Sequence, residues 1–144
     1  MKRGYIRKGI SMDYRTFTNN LANYSENQKR LVRAKTDLEV ILYDMANVRG
    51  ISYDSVMVNG NPSVKALNWL KLDDRYNEKE NEVRYYEAAI LSVEQAKKKI
   101  PKKLWLMLVD KFVKGMTYSA VGLKYGYSNH GIWAMMRRET ERYI

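Results

Sequence analysis

The chain has 144 residues, 45% apolar and 29% charged, with two prolines, eight glycines, no cysteine and a formal charge of +10. These are globular proportions, so wholesale disorder is excluded, and the absence of cysteine excludes a disulfide framework and thiolate chemistry. No apolar run approaches the roughly 20 residues that span a bilayer, and the basic start Met1–Lys8 is followed by polar residues rather than a leader core. A soluble, intracellular protein with no membrane partner is the expectation. The scarcity of breakers favours long helices, and the predicted class is all-α.

The charge is unevenly distributed. Residues 1–11 carry +4 through Lys2, Arg3, Arg7 and Lys8, residues 12–96 carry −2, and residues 97–144 carry +8. Positive charge gathered at the two ends of a chain, and mostly in its last third, is the footprint of a polyanion partner, because each phosphate contact releases condensed counterions.

Residues 1–13 read as a basic arm. Residues 14–49 then read as one long helix with no glycine or proline inside. Phe17, Leu21, Tyr24, Gln28, Leu31, Lys35, Leu38, Leu42 and Met45 alternate by four and three, the spacing of a helix–helix seam. At about 1.5 Å per residue such a helix spans ~50 Å and needs a partner. Gly50 is its predicted C-terminal cap. Ile51–Val58 reads as short and extended. Asn59-Gly60-Asn61-Pro62 reads as a turn and restart, with Asn61 capping and Pro62 in the first helical turn.

A second helix is predicted from about Ser63 to Lys99, with Val83, Tyr86, Ile90, Val93, Lys97 and Ile100 on its seam and a mostly charged middle, Lys71–Arg84. The two helices are expected to form a long antiparallel hairpin over 14–99, joined through about 50–62. Its faces could also serve a homodimer. Lys97-Lys98-Lys99-Ile100-Pro101-Lys102-Lys103 marks the boundary; the ordinary reading of such a run is a solvated face.

Residues 100–144 change to short amphipathic helices. Leu104, Trp105, Leu108, Val109, Phe112 and Val113 recur at helical spacing up to a stop at Gly115. Thr117 is placed to cap a second helix ending at Tyr125-Gly126, and Ser128 a third running through Arg138. This is helix-turn-helix spacing: Gly122 for a tight crossing, Gly126 for a left-handed turn, and Ile132 as the buried residue of the second helix. Val121, Tyr125, Met135 and Met136 complete the inner side. At ~100° per residue, His130, Trp133, Ala134 and Arg137 fall outward with Arg138 at the edge. The first turn of such a helix reaches base edges in the major groove, where Asn129 and His130 offer donors and acceptors and Arg137 suits guanine or phosphate. Thr117, Tyr118, Lys124, Tyr127 and Ser128 complete the candidate DNA-binding set.

Lys111-Phe112-Val113-Lys114-Gly115-Met116-Thr117-Tyr118, leading into Leu123-Lys124-Tyr125-Gly126-Tyr127-Ser128-Asn129, resembles the C-terminal part of phage transcriptional regulators of the RinA and ArpU type. That module is similar to the sigma-factor domain that reads the promoter −35 element. Tyr53-Asp54-Ser55-Val56 and the charged helix before Ile100-Pro101 also resemble those proteins. The resemblance covers about 14–144 and is strongest over 100–140. It implies an activator of phage or prophage late genes that acts in the bacterial cytoplasm, with double-stranded DNA and host RNA polymerase as partners. Ala120, Gly122 and Trp133 depart from the family's usual residues and bear on the operator sequence rather than on the fold.

The alternative is a small terminase-like DNA-packaging subunit, which also joins a helix-turn-helix to long helices but assembles into rings. Catalysis is not expected: there is no nucleotide-binding glycine loop and no nucleophile–histidine–carboxylate set, and His130 is the single histidine. No metal or other cofactor is expected, because His130 has no cysteine or second histidine to join it.

Overall fold

The computed structural model describes residues 12–47, 57–58, 61–62 and 64–144, and it is all-α apart from one short ladder. The basic arm up to residue 11, the Gly50 cap, the stretch 51–56 and the Asn59-Gly60 turn lie outside the described residues.

Helix α1 spans Tyr14–Ala22 and starts where the Asp13 carboxylate accepts the Thr16 N–H at 3.1 Å. The continuous helix expected over 14–49 is interrupted at Asn23, and α2 restarts as Tyr24–Asn47. The cause is local. Both the backbone N–H of Asn23 and its side-chain amide donate to the Asn19 carbonyl, at 3.0 and 2.9 Å, and the backbone sits at φ −99°, ψ 10°. An asparagine side chain that competes for a helical carbonyl loosens the turn it sits in.

One of the two rows of the expected seam is displaced, while Tyr24, Leu31, Leu38 and Met45 are half-buried. Asn27, Ala34 and Ile41 are the buried residues of α2, whereas the expected Gln28, Lys35 and Leu42 face solvent. The buried row thus keeps its seven-residue repeat but lies one position earlier, which takes both polar members out of the interior.

Met57–Val58 and Asn61–Pro62 form a two-residue antiparallel ladder, β1 and β2, with Met57 opposite Pro62 and Val58 opposite Asn61. Asn61 and Pro62 therefore belong to the ladder and not to the start of the next helix, which is α3, Val64–Lys99.

Backbone contacts divide the chain into two compact units. In residues 27–88, Lys79 pairs with Asp37 at 3.4 Å and Lys35 with Glu87 at 3.6 Å, so rising numbers in α2 meet falling numbers in α3. Ala34, Ile41 and Val83 are buried there.

The second unit joins residues 12–26 to 89–144. Its α4, Lys102–Leu108, continues into a π turn, Val109–Val113, and the segment ends at Gly115 with φ +76°. Helices α5, Tyr118–Tyr125, and α6, Asn129–Glu141, follow. The core comprises Tyr14, Phe17 and Leu21 of α1, Val93, Ala96 and Ile100 at the end of α3, Leu104, Met107 and Leu108 of α4, Val121 of α5, and Ile132 and Met136 of α6. Ala96, not Lys97, occupies the inner position of the α3 seam. The Tyr14 ring meets Phe112 edge to face, with centroids 6.1 Å apart. Full burial of a side chain such as Phe17, Ile132 or Met136 contributes about 1.5–3 kcal/mol.

Candidate nucleic-acid interface

Helices α5 and α6 are each started by a hydroxyl. Thr117 accepts from the Ala120 N–H and Ser128 from the Gly131 N–H, both at 3.1 Å, and each cap is worth about 1 kcal/mol. Each hydroxyl holds a helix start as an acceptor, and both residues remain exposed, with the O–H able to donate outward. Between the helices the chain reverses at Gly126, in the left-handed region at φ +83°, where a side chain would be strained.

The crossing is held close at Gly122. Its carbonyl accepts the Tyr127 N–H at 2.7 Å, and a Cβ built on it would lie 2.7 Å from the Tyr127 carbonyl oxygen and 3.7 Å from the Ile132 Cβ. Any side chain at 122 forces the turn away from α5. Glycine at 122 is thus matched to this turn.

Ile132 and Met136 are fully buried, Val121 likewise, and Met135 and Tyr125 are half-buried. With that side of α6 packed, Asn129, His130, Trp133, Ala134, Arg137 and Arg138 are left exposed on the helix. Trp133 keeps 49% of its surface in solvent, so it is not packed under α1. The two arginines are not free cations. Arg137 reaches Glu141 at 3.4 Å and lies 6.0 Å from the Tyr14 ring centroid, and Arg138 reaches Glu139 at 3.5 Å.

Lys124 is held as well. Asp110, in the π turn, is 2% exposed, and its Oδ2 accepts from Lys124 Nζ at 2.8 Å and from the Tyr125 hydroxyl at 2.6 Å, while Lys114 stands 3.4 Å from Oδ1. The Lys124 and Tyr125 hydrogen bonds hold the Asp110 carboxyl down at about 2, and the same contact raises both Lys124 and Tyr125. Burial pushes the Tyr14 hydroxyl well above its ordinary range. Tyr118 is half-buried, with Lys111 Nζ 4.5 Å from its ring centroid, and Tyr127 is 37% exposed, with Lys103 Nζ 5.2 Å from its ring.

Within the candidate set, Thr117, Ser128, Lys124 and Tyr118 also make contacts inside the module, the first three while remaining exposed, and Asn129, His130, Trp133, Ala134, Arg137 and Arg138 form one exposed strip with Tyr127 beside it. Asp110 was not singled out from the sequence, although a signal existed: it is the single acid between Glu94 and Glu139 in a lysine-rich segment. Among the described residues no group of three or more histidine and carboxylate side chains could hold a metal ion, and no helix is long and apolar enough to cross a membrane. Comparison with protein-family models, curated proteins and solved structures found no match for this chain.

Proposed function

We propose that the protein is a sequence-specific double-stranded DNA-binding regulator, with α5 and α6 as its helix-turn-helix and α6 as the helix that enters the major groove. The observation that carries the reading is the polarity of α6. Its buried side is closed by Ile132 and Met136, and its opposite side presents an amide, an imidazole, an indole and two guanidinium groups from its first three turns, within a segment of charge +8. Those groups cover the donor and acceptor chemistry of base edges and phosphates. The left-handed Gly126 and the two hydroxyl caps fix the angle at which that strip is presented.

The resemblance to RinA- and ArpU-type regulators supports the narrower reading: an activator of phage or prophage late genes in the bacterial cytoplasm, working beside host RNA polymerase. Binding of the full chain to a panel of duplex fragments from its parent genome, at one fixed salt concentration, tests the proposal. One or a few fragments should bind at least ~1000-fold more tightly than the rest. Equal affinity for every fragment would remove the claim of sequence specificity.

A further inference from the structure

Resting on the duplex-DNA reading, we propose that the phosphate-binding half of the interface is the lysine cluster around Pro101, led by Lys102 and Lys103, and not the arginines of α6.

Two independent observations converge on it. The first is the distribution of counter-charge. In the C-terminal part of the chain, Lys114 and Lys124 share the Asp110 carboxylate, Arg137 and Arg138 pair with Glu141 and Glu139, and Arg142 also reaches Glu139 at 3.3 Å. Among the described residues none of Lys97, Lys98, Lys99, Lys102 and Lys103 has a carboxylate within ion-pair distance, the nearest acid along α3 being Glu94, which accepts from Tyr24, and all five lysines are exposed. A polyanion draws its binding free energy from cations whose own counterions are released, and a cation already neutralised by a carboxylate releases few.

The second is placement. The cluster straddles the junction of α3 and α4, which the buried Ile100 and Leu104 fix into the core. From α4, Lys103 stands over the Tyr127 ring, and Tyr127 directly precedes the Ser128 cap of α6. Lys103 therefore borders the start of the exposed strip on the end where Asn129 and His130 lie, and Lys102 precedes it in the same first turn of α4. A duplex whose base edges met those residues would carry its backbone across Lys102 and Lys103. The sequence run alone is an ordinary solvated face; its lack of ion pairs and the contact of Lys103 with the turn make it a binding surface.

The test is the salt dependence of binding to the tightest fragment of the panel, measured by fluorescence anisotropy on the full chain. For Lys102→Gln/Lys103→Gln, the slope of log K against log salt should become shallower by about 1.8, with affinity near 0.1 M salt about 50-fold weaker. Lys102→Arg/Lys103→Arg should keep the wild-type slope. Arg137→Gln/Arg138→Gln should change the slope by less than half as much while narrowing the gap between best and worst fragments. A Gln pair that leaves the slope unchanged overturns the proposal, whether or not affinity falls. Absence of binding by the wild-type chain to any fragment is the separate result that overturns the DNA reading itself, and this proposal with it.

Discussion

Replacing Asp110 by asparagine removes one charge from a buried site and leaves its shape almost intact. The carboxylate accepts Tyr125 at 2.6 Å and Lys124 at 2.8 Å, so it ties α5 to the π turn that precedes it. Holding the acid at about 2, against an ordinary 3.8, corresponds to about 2 kcal/mol in favour of the folded, charged form. The lysine side of the pair is open to solvent, with 49% of the Lys124 side chain exposed, so screening lowers this to about 1–2 kcal/mol. For a chain of this size that is a fall in Tm of roughly 3–8 °C at pH 7. Because the folded-state value is depressed, the stabilisation is fully present above about pH 4 and is lost as pH falls towards 2. Thermal melts followed by circular dichroism at pH 7 and at pH 2.5 read both effects. Wild type and Asp110→Asn should differ at the first pH and approach one another at the second. A difference below ~1 °C at pH 7, or one that persists undiminished in acid, would refute the electrostatic account.

Gly122→Ala places a Cβ against the Tyr127 carbonyl and should cost about 1–3 kcal/mol, read as a lower denaturant midpoint at unchanged m; an unaltered midpoint would mean that the turn yields freely. Ile132→Asp buries an unpaired charge at a fully enclosed position and should abolish the cooperative melt of the unit formed by 12–26 and 89–144; a normal melt would invert the inward and outward sides of α6. Arg137→Ala should weaken binding to the preferred duplex by roughly 5- to 150-fold with little loss of Tm, and unchanged affinity would take Arg137 out of the interface. Solution mass by light scattering should correspond to a monomer or dimer, whereas eight or more copies would favour the packaging-subunit reading.

What was legible in the sequence was what short-range chemistry decides. Thr117, Gly126 and Ser128 act on neighbours three to five residues away, and each was readable as cap or turn. Ile132, Met136 and Val121 followed from helical periodicity. The break at Asn23 was not legible, because an asparagine inside a helical pattern declares its competing hydrogen bond only once the Asn19 carbonyl is in place. The buried row at Asn27, Ala34 and Ile41, in place of Gln28, Lys35 and Leu42, was not legible either, whereas Tyr24, Leu31, Leu38 and Met45 keep their expected register. Asp110 reaches across 14 and 15 residues to Lys124 and Tyr125, and the π turn that carries it has no residue signature. Longer in range are the association of α1 with the end of α3, as in Asn20 donating to the Ser92 hydroxyl at 3.2 Å, and that of α1 with α6, as in Arg137 at 6.0 Å from the Tyr14 ring centroid. No local pattern encodes a contact across such separations.

The break at Asn23 also bears on how the protein assembles. With α1 separated from α2, Tyr14, Phe17 and Leu21 become part of the same core as Ile132 and Met136. That core closes between the first and last helices of the described chain, with residues 27–88 leaving and returning in between. On the ribosome its earliest segment waits for its latest, and the loop-closure entropy of the intervening stretch opposes the step, so this unit is expected to fold more slowly than its helix content suggests. A fragment starting near residue 100 would lack one wall of the core and leave Leu104 and Met107 uncovered. On the DNA-binding proposal, deletion mapping from the N-terminus would then register loss of binding through loss of the core.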